Sequence, residues 1–275
     1  DLLANGFKKS TIDELYKNLH HADLRVRRDS QFELVRRGES GQAELIKAAQ
    51  KGSTREAKIH GLWGLGQLAR KKPAVAIHIV PFLKSPDVEV KATAIRVIGD
   101  AHFKQASREL VGLLKDSSQR IQSLASIALG KLDDSSAVNA LYTLAAQNNG
   151  KDPYLRHSIV MGLVGSASDK RSLLTAASTH NSDEVKMVSL LALRRLKDPS
   201  IRIFLNDKNL KIVTEAARAI HDDFSIPAAL PDLARVLQRA DIAGEALIRR
   251  AINANLRVGG RENAEILKSY ILNKS

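Results

Sequence analysis

The chain contains no cysteine, which excludes disulfides, CxxC redox chemistry, thiolate zinc sites and CxxCH haem attachment. Aromatic residues are scarce: six Phe, four Tyr and one Trp in 275 residues. That is thin for base stacking or for a sugar-lined cleft. The longest nearly apolar run, 74–83, is broken by His78 and Pro81 and is far too short to cross a bilayer. Methionine occurs only at Met161 and Met187, and the first residue is Asp1. The expectation is a segment processed or excised from a longer protein, with no targeting segment in it. What is present is an apolar fraction of 44%, enough for a sizeable core and too much for wholesale disorder. With it come 43 Lys+Arg against 30 Asp+Glu, a formal net charge of +13.

Self-comparison reveals one frame repeated along the chain. Its first core residue, position 0, is Val26, Ala57, Val90, Ile121, Leu155, Val185, Ile212 and Leu247, at spacings of 31, 33, 31, 34, 30, 27 and 35 residues. Position 4 is small in most copies (Ser30, Gly61, Ala94, Ala125, Ser189, Ala216, Ala251), with Ile159 the exception. Position 8 is aliphatic (Leu34, Leu65, Ile98, Leu129, Leu163, Leu193, Ile220) except at Asn255. Residues 0, 4 and 8 share one face of a helix, so each frame predicts an amphipathic helix and not a strand. Three residues before each frame stand Asp23, Thr54, Asp87, Ser118, Asp152, Ser182, Asn209 and Gly244. Seven of these carry an N-capping oxygen, each worth about 1 kcal/mol. Position 9 is Gly66, Gly99 and Gly130 in three copies, which predicts that the helices end there.

A second apolar stretch lies between frames, as in Ile12-Leu15-Leu19, Leu45-Ile46-Ala49, Leu110-Leu113-Leu114, Leu141-Leu144-Ala145 and Leu230-Leu233-Leu237. Each repeat is therefore a helix A, a turn and a helix B, and neither helix hides its stripe alone. The predicted fold is all-α: about eight helix pairs stacked through residues 1–275 as a single right-handed α-solenoid. The 27-residue spacing leaves room only for a short helix A around Ser200 to Leu205, behind Pro199. At the start, Leu2, Leu3 and Phe7 have nothing before them to pack on. At the end, Ile266, Leu267, Tyr270 and Ile271 form a helix A without its helix B, which again suggests a piece of a longer chain.

The period and the D-x-x-V-[KR]-x-x-A pattern resemble HEAT repeats of the short, roughly thirty-residue kind. Tetratricopeptide and ankyrin signatures are absent. Three stretches, 23–38, 192–199 and the broken run 204–207, 213–222 and 226–231, resemble more closely the HEAT segment of large secreted proteins of planctomycetes and verrucomicrobia. Those proteins carry a sorbosone/glucose-dehydrogenase-like propeller before the HEAT region and a CxxCH cytochrome c domain after it. The resemblance implies a bacterial, periplasmic or exported setting, with this segment as spacer between an electron-transferring pair of domains. It implies no cofactor-binding residue within these 275 positions.

Catalytic chemistry is hard to find. The eight histidines, 20, 21, 60, 78, 102, 157, 180 and 221, form no HExxH and no i, i+4 pair, so no metal ligand is assigned. His157 and Met161 are spaced as haem ligands could be, but read better as a surface pair. Gly61-x-x-Gly64-x-Gly66 falls inside a helix B and implies close packing, not a phosphate loop. Asp133-Asp134 and Asp222-Asp223 read as turn acids. The expectation is a chain that is not an enzyme, with no catalytic residue, cofactor or metal.

Two surface features remain. Position 6 points away from the core at 100° per residue and reads Phe32, Trp63, Arg96, Ile127, Met161, Leu191 and Arg218, then Asn253. Position 2 flanks it with Ile59, His157 and Met187. A largely apolar stripe there marks either a strip that docks a partner protein or neighbouring domain, or lateral packing between B helices. Position 1 is basic in five copies: Arg27, Lys58, Lys91, Arg156 and Lys186. It reads as a structural ladder, each base paired to a cap acid of a neighbouring repeat, or as an electrostatic track for nucleic acid or an acidic protein. The competing function is a nucleic-acid binder of the HEAT-like alkylpurine DNA glycosylase kind, with Trp63 and Asp29 or Glu215 as its nearest catalytic candidates. A HEAT-like lyase attaching bilins rests on repeat type alone.

Overall fold

Seven capping side chains start seven helices in the computed structural model, which describes residues 2–169 and 171–272. Each accepts a backbone N–H of the first turn. Asp23 takes Arg25 N at 2.8 Å, Thr54 takes Ala57 N at 3.1 Å, and Asp87 takes Glu89 N at 2.9 Å. Asp152 takes Tyr154 N at 2.8 Å and Asn209 takes Lys211 N at 2.9 Å. Ser118 and Ser182 make longer bonds of 3.5 and 3.4 Å. Of the eight frame helices only the one behind Gly244, which has no side chain, lacks a side-chain cap.

All regular structure among the described residues is helical, the α-solenoid class of fold that the repeat predicts. The chain divides into two compact units, Asp1–Ala137 and Val138–Ser275. In unit 1 the helices are α1 (Leu2–Asn5), α2 (Ile12–Asn18), α3 (Leu24–Arg36), α4 (Glu39–Lys51), α5 (Arg55–Ala69), α6 (Val88–Asp100), α7 (Ser107–Leu113) and α8 (Gln119–Leu132). The frames are α3, α5, α6 and α8. Each packs on the frame helix before it, and α3, α5 and α8 also pack on the A helices α2, α4 and α7. Before α6 the A position is filled by two 3₁₀ segments, Pro73–His78 and Val80–Lys84. Pro73 and Pro81 lack the N–H that a longer α-helix would need.

Unit 2 contains α9 (Val138–Asn148), α10 (Pro153–Ser166), α11 (Ser172–Ala176), α12 (Asp183–Arg195), α13 (Leu210–His221), α14 (Leu230–Arg235), α15 (Glu245–Val258) and α16 (Gly260–Leu272). Its frames are α10, α12, α13 and α15, stacked in chain order. The short helix A behind Pro199 is a 3₁₀ segment, Pro199–Asn206. Positions 0, 4 and 8 are buried in all eight frames, Asn255 included. Asn255 donates Nδ2–H to the carbonyls of Ala234 and Ala251, both at 2.8 Å, and so ties α15 to α14.

The glycines at position 9 do not end helices. α5 runs past Gly66 to Ala69, and α6 and α8 likewise continue. A Cβ on Gly66 would meet Val97 Cγ1 at 2.4 Å, and one on Gly99 would meet Ala128 Cβ at 3.0 Å. These glycines let neighbouring B helices approach. The chain turns at position 12, which has positive φ in six frames: Gly38, His102, Asp133, Lys197, Phe224 and Gly259. At His102 and Lys197 the paired backbone bonds are those of a Schellman stop. At the chain start Phe7 is buried by the residues that follow it; the side chain of Leu2 lies outside the described residues.

Candidate functional site

Position 6 points where its register requires. Phe32 and Trp63 are 48% and 44% exposed, Arg96 and Arg218 are exposed, and Ile127, Met161 and Leu191 are half-buried. In unit 1 three of these residues converge. Phe32 from α3, Trp63 from α5 and Arg96 from α6 line one open groove of about 460 Å³, whose apolar wall is completed by Leu24 and Val97. Ile127 does not line it. In unit 2 Leu191 lines a separate cavity, while Met161 and Arg218 do not.

The floor of the unit 1 groove is held by a buried polar pair. His60, one turn before Trp63, is 2% exposed and donates Nδ1–H to Gln31 Oε1 at 2.7 Å. Its ring meets the Trp63 indole edge-on, centroids 5.0 Å apart and planes at 85°. Burial, then the nearby charge of Arg27, hold the His60 imidazolium down to a pKa of about 4, so the ring is neutral at pH 7. This couples the exposed indole to a fixed support. The rim is charged. Arg28 is engaged by Asp29 at 2.9 Å, and Asp100 by Lys131 at 2.5 Å. Arg70 and Arg96 also line the groove, and among the described residues no carboxylate lies within ion-pair distance of either.

Three of the five basic residues at position 1 form a ladder to the next repeat. Lys91 reaches Asp116 at 2.9 Å and Lys186 reaches Asp207 at 2.9 Å; each acid sits two residues before the cap of the next frame helix and accepts the cap residue's N–H. Arg156 holds Glu184 of the next frame through two bonds of 2.5 and 2.8 Å. Arg27 instead donates to the carbonyls of His21 and Ala22. The partners are therefore mainly acids just upstream of the caps, not the caps themselves. Charges consumed in this way do not form a free track for phosphates.

The glycosylase-like candidates do not assemble. Asp29 is bound by Arg28 and does not line the groove of Trp63. Glu215 is taken up by Arg194 at 3.3 Å and Arg218 at 3.7 Å. His157 is exposed and Met161 half-buried. The turn acids do structural work: Asp134 accepts from the Ser107 hydroxyl, and Asp222 binds Arg250 through two bonds of 2.8 Å. No group of three metal-ligating side chains occurs among the described residues, and none of their helices is long and apolar enough to cross a membrane.

Helical register singles out Phe32, Trp63 and Arg96, but it does not show the Gln31–His60 support. Gln31 and His60 are 29 residues apart, and only stacking of α3 on α5 brings them together. Reading position 5 of one frame against position 3 of the next would have paired them.

Residues 76–164 match the family model for HEAT repeats. That match covers the third and fourth frames and nearly all of α10, the first frame of unit 2. No curated protein sequence matches the chain. Among solved structures, the chain is similar to the CpcE–CpcF complex of phycocyanin lyase from Nostoc sp. PCC7120, at 17% identity over 82% of this chain and 92% of that one, TM-score 0.45. It is also similar to an engineered protein, at 16% identity over 94% and 81%, TM-score 0.47. The third is YibA of Escherichia coli, at 21% identity over 92% and 94%, TM-score 0.48. No site or activity transfers at these levels of likeness. One of these structures is a lyase complex, and the expectation that this chain is not an enzyme is withdrawn.

Proposed function

We propose that this helical-repeat chain is a scaffold that docks a partner protein, and that the Trp63 groove of unit 1 is a docking point. The carrying observation is the placement of Phe32, Trp63 and Leu24, all large, apolar and exposed, around one groove with Arg70 and Arg96 at its edge. Exposed clustered apolar surface marks interfaces, and Trp with Arg is the pairing most enriched at binding hot spots. Charge complementarity selects the occupant: an apolar side chain carried on an acidic segment.

Trp63 is the single tryptophan of the chain, so its emission reports this groove directly. Titration with a short peptide of Leu and Phe flanked by Asp and Glu is expected to shift that emission saturably. The same peptide with Lys flanks leaves it unchanged. Phe32→Ser weakens the acidic peptide about tenfold with little change in Tm. Equal response to both peptides, or a large loss of stability in Phe32→Ser, refutes the docking role.

The resemblance of stretches 23–38, 192–199 and the broken run within 204–231 supports, as part of this proposal, an exported setting in which the partner is a propeller or cytochrome c domain of the same polypeptide. The encoding reading frame tests it. Neither a propeller upstream nor a CxxCH downstream would remove that partner and leave the groove to another.

A further inference from the structure

Unit 2 contains a cavity of about 600 Å³ at the C-terminal end of α12. Four cations line it: Arg156, Arg194, Arg195 and Lys197. Two are already spent, since Arg156 is held by Glu184 and Arg194 by Glu215, with Asp223 at 4.0 Å from Arg194. The other two are not. Among the described residues neither Arg195 nor Lys197 has a carboxylate within ion-pair distance, and Asp223, the acid that lines the cavity, feels the Lys197 charge without pairing with it. The placement of Lys197 is fixed by the backbone. It occupies the left-handed position of the α12 stop, φ 54°, with Lys197 N bonded to Arg194 O and Asp198 N to Leu193 O, both at 3.0 Å.

The rest of the lining says what kind of molecule suits the space. Leu191, Val160 and Pro153 provide an apolar wall. Asp223 accepts from both the backbone N–H and the hydroxyl of Ser225, at 3.0 and 2.6 Å. Those bonds, with the charges of Arg194 and Lys197, hold its carboxyl below the usual range, so it stays an acceptor for a ligand donor. Two cations without an ion-pair partner match the two charges of a phosphate dianion better than the single charge of a carboxylate, and the guanidinium fork fits either group.

We propose that this cavity binds a small phosphate monoester, its phosphate between Arg195 and Lys197 and its organic body against Leu191 and Val160. The site is independent of the Trp63 groove. No covalent step is implied.

Calorimetric titration of the whole chain with phenyl phosphate, in about 50 mM salt, tests it. Binding is expected to be saturable and tighter than that of inorganic phosphate, because only the ester reaches the apolar wall. Arg195→Gln is expected to weaken it about tenfold. Lys197→Gly does the same without lowering Tm, since glycine suits the backbone there; loss of binding in that variant cannot be ascribed to misfolding. Trp63→Ser leaves it intact. The proposal is overturned if phenyl phosphate fails to bind, or binds no better than inorganic phosphate. It is also overturned if both variants bind as the parent does, which would place the anion elsewhere on a +13 surface. Random duplex DNA that binds through Arg195 and Lys197 while phenyl phosphate does not would overturn it in favour of a nucleic-acid contact.

Discussion

His60 shows how much one side chain can decide. In the unfolded chain its imidazole takes a proton near pH 6.5; in the native state burial defers this to about 4. The native state thus binds fewer protons between those values, so stability is full above about pH 7 and falls as pH drops through the window. The difference of roughly 2.5 units corresponds to about 3 kcal/mol. Urea unfolding at pH 7 and 4.5 checks it against His60→Phe, in which this part of the slope disappears while carboxylate titrations remain. Parallel pH dependences for the two proteins would show that His60 is not the group responsible. Because His60 abuts Trp63, the emission of the native protein is expected to change near pH 4, where the folded ring takes its proton. Register places Trp63 on the outward face, but its contact with His60 is not legible in the sequence, where His60 is one of eight scattered histidines.

At the scale of the helix, caps and stops behave differently. Caps are local: an oxygen at one residue meets an N–H two or three residues later, so Asp23, Thr54, Asp87, Asp152 and Asn209 could be read directly. Stops were misread, because glycine was taken as the signal. At position 12 the chain turns through His102, Asp133, Lys197 and Phe224 as readily as through Gly38 and Gly259. An L-residue there costs about 1 kcal/mol relative to glycine, so Lys197→Gly is expected to stabilise by about that amount in urea unfolding.

The glycines within helices make the converse case. On Gly61 a Cβ would lie 2.6 Å from Ala49 N and 2.8 Å from Leu45 O, backbone atoms that cannot move without shifting α4. Gly61→Ala is therefore expected to cost about 2 kcal/mol, despite alanine's better helix propensity. Gly112 in α7 has nothing within 4 Å of such a Cβ. Gly112→Ala should gain about 0.5 kcal/mol. If both substitutions stabilise, the close approach of α4 and α5 is not what selects glycine at position 61.

On the whole molecule, the excess of positive charge is spread over cations of different standing. Lys91, Arg156 and Lys186 are tied to acids of the following repeat and partly shielded from solvent, where salt screens little. Arg70, Arg96, Arg195 and Lys197 have no ion-pair partner among the described residues, and the self-repulsion of the chain's net positive charge is what salt relieves. Raising salt from about 10 to 150 mM is expected to raise Tm by roughly 2–4 °C. A fall in Tm would mean that exposed pairs such as Arg120–Glu89 contribute more than the net repulsion.

The sequence by itself determined the helix pairs. Core residues at positions 0, 4 and 8 and the caps before them are set by the geometry of a single helix, whose period is the same in every copy. The tertiary structure alone decided which outward residues share a cavity. Phe32, Trp63 and Arg96 are about thirty residues apart and meet only because α3, α5 and α6 stack at a spacing that Gly66 permits. Arg195 and Asp223 come to face one cavity in the same way. Their convergence depends on the distance and angle between packed helices, which depend on side chains of both neighbours and are written in no one segment of the chain.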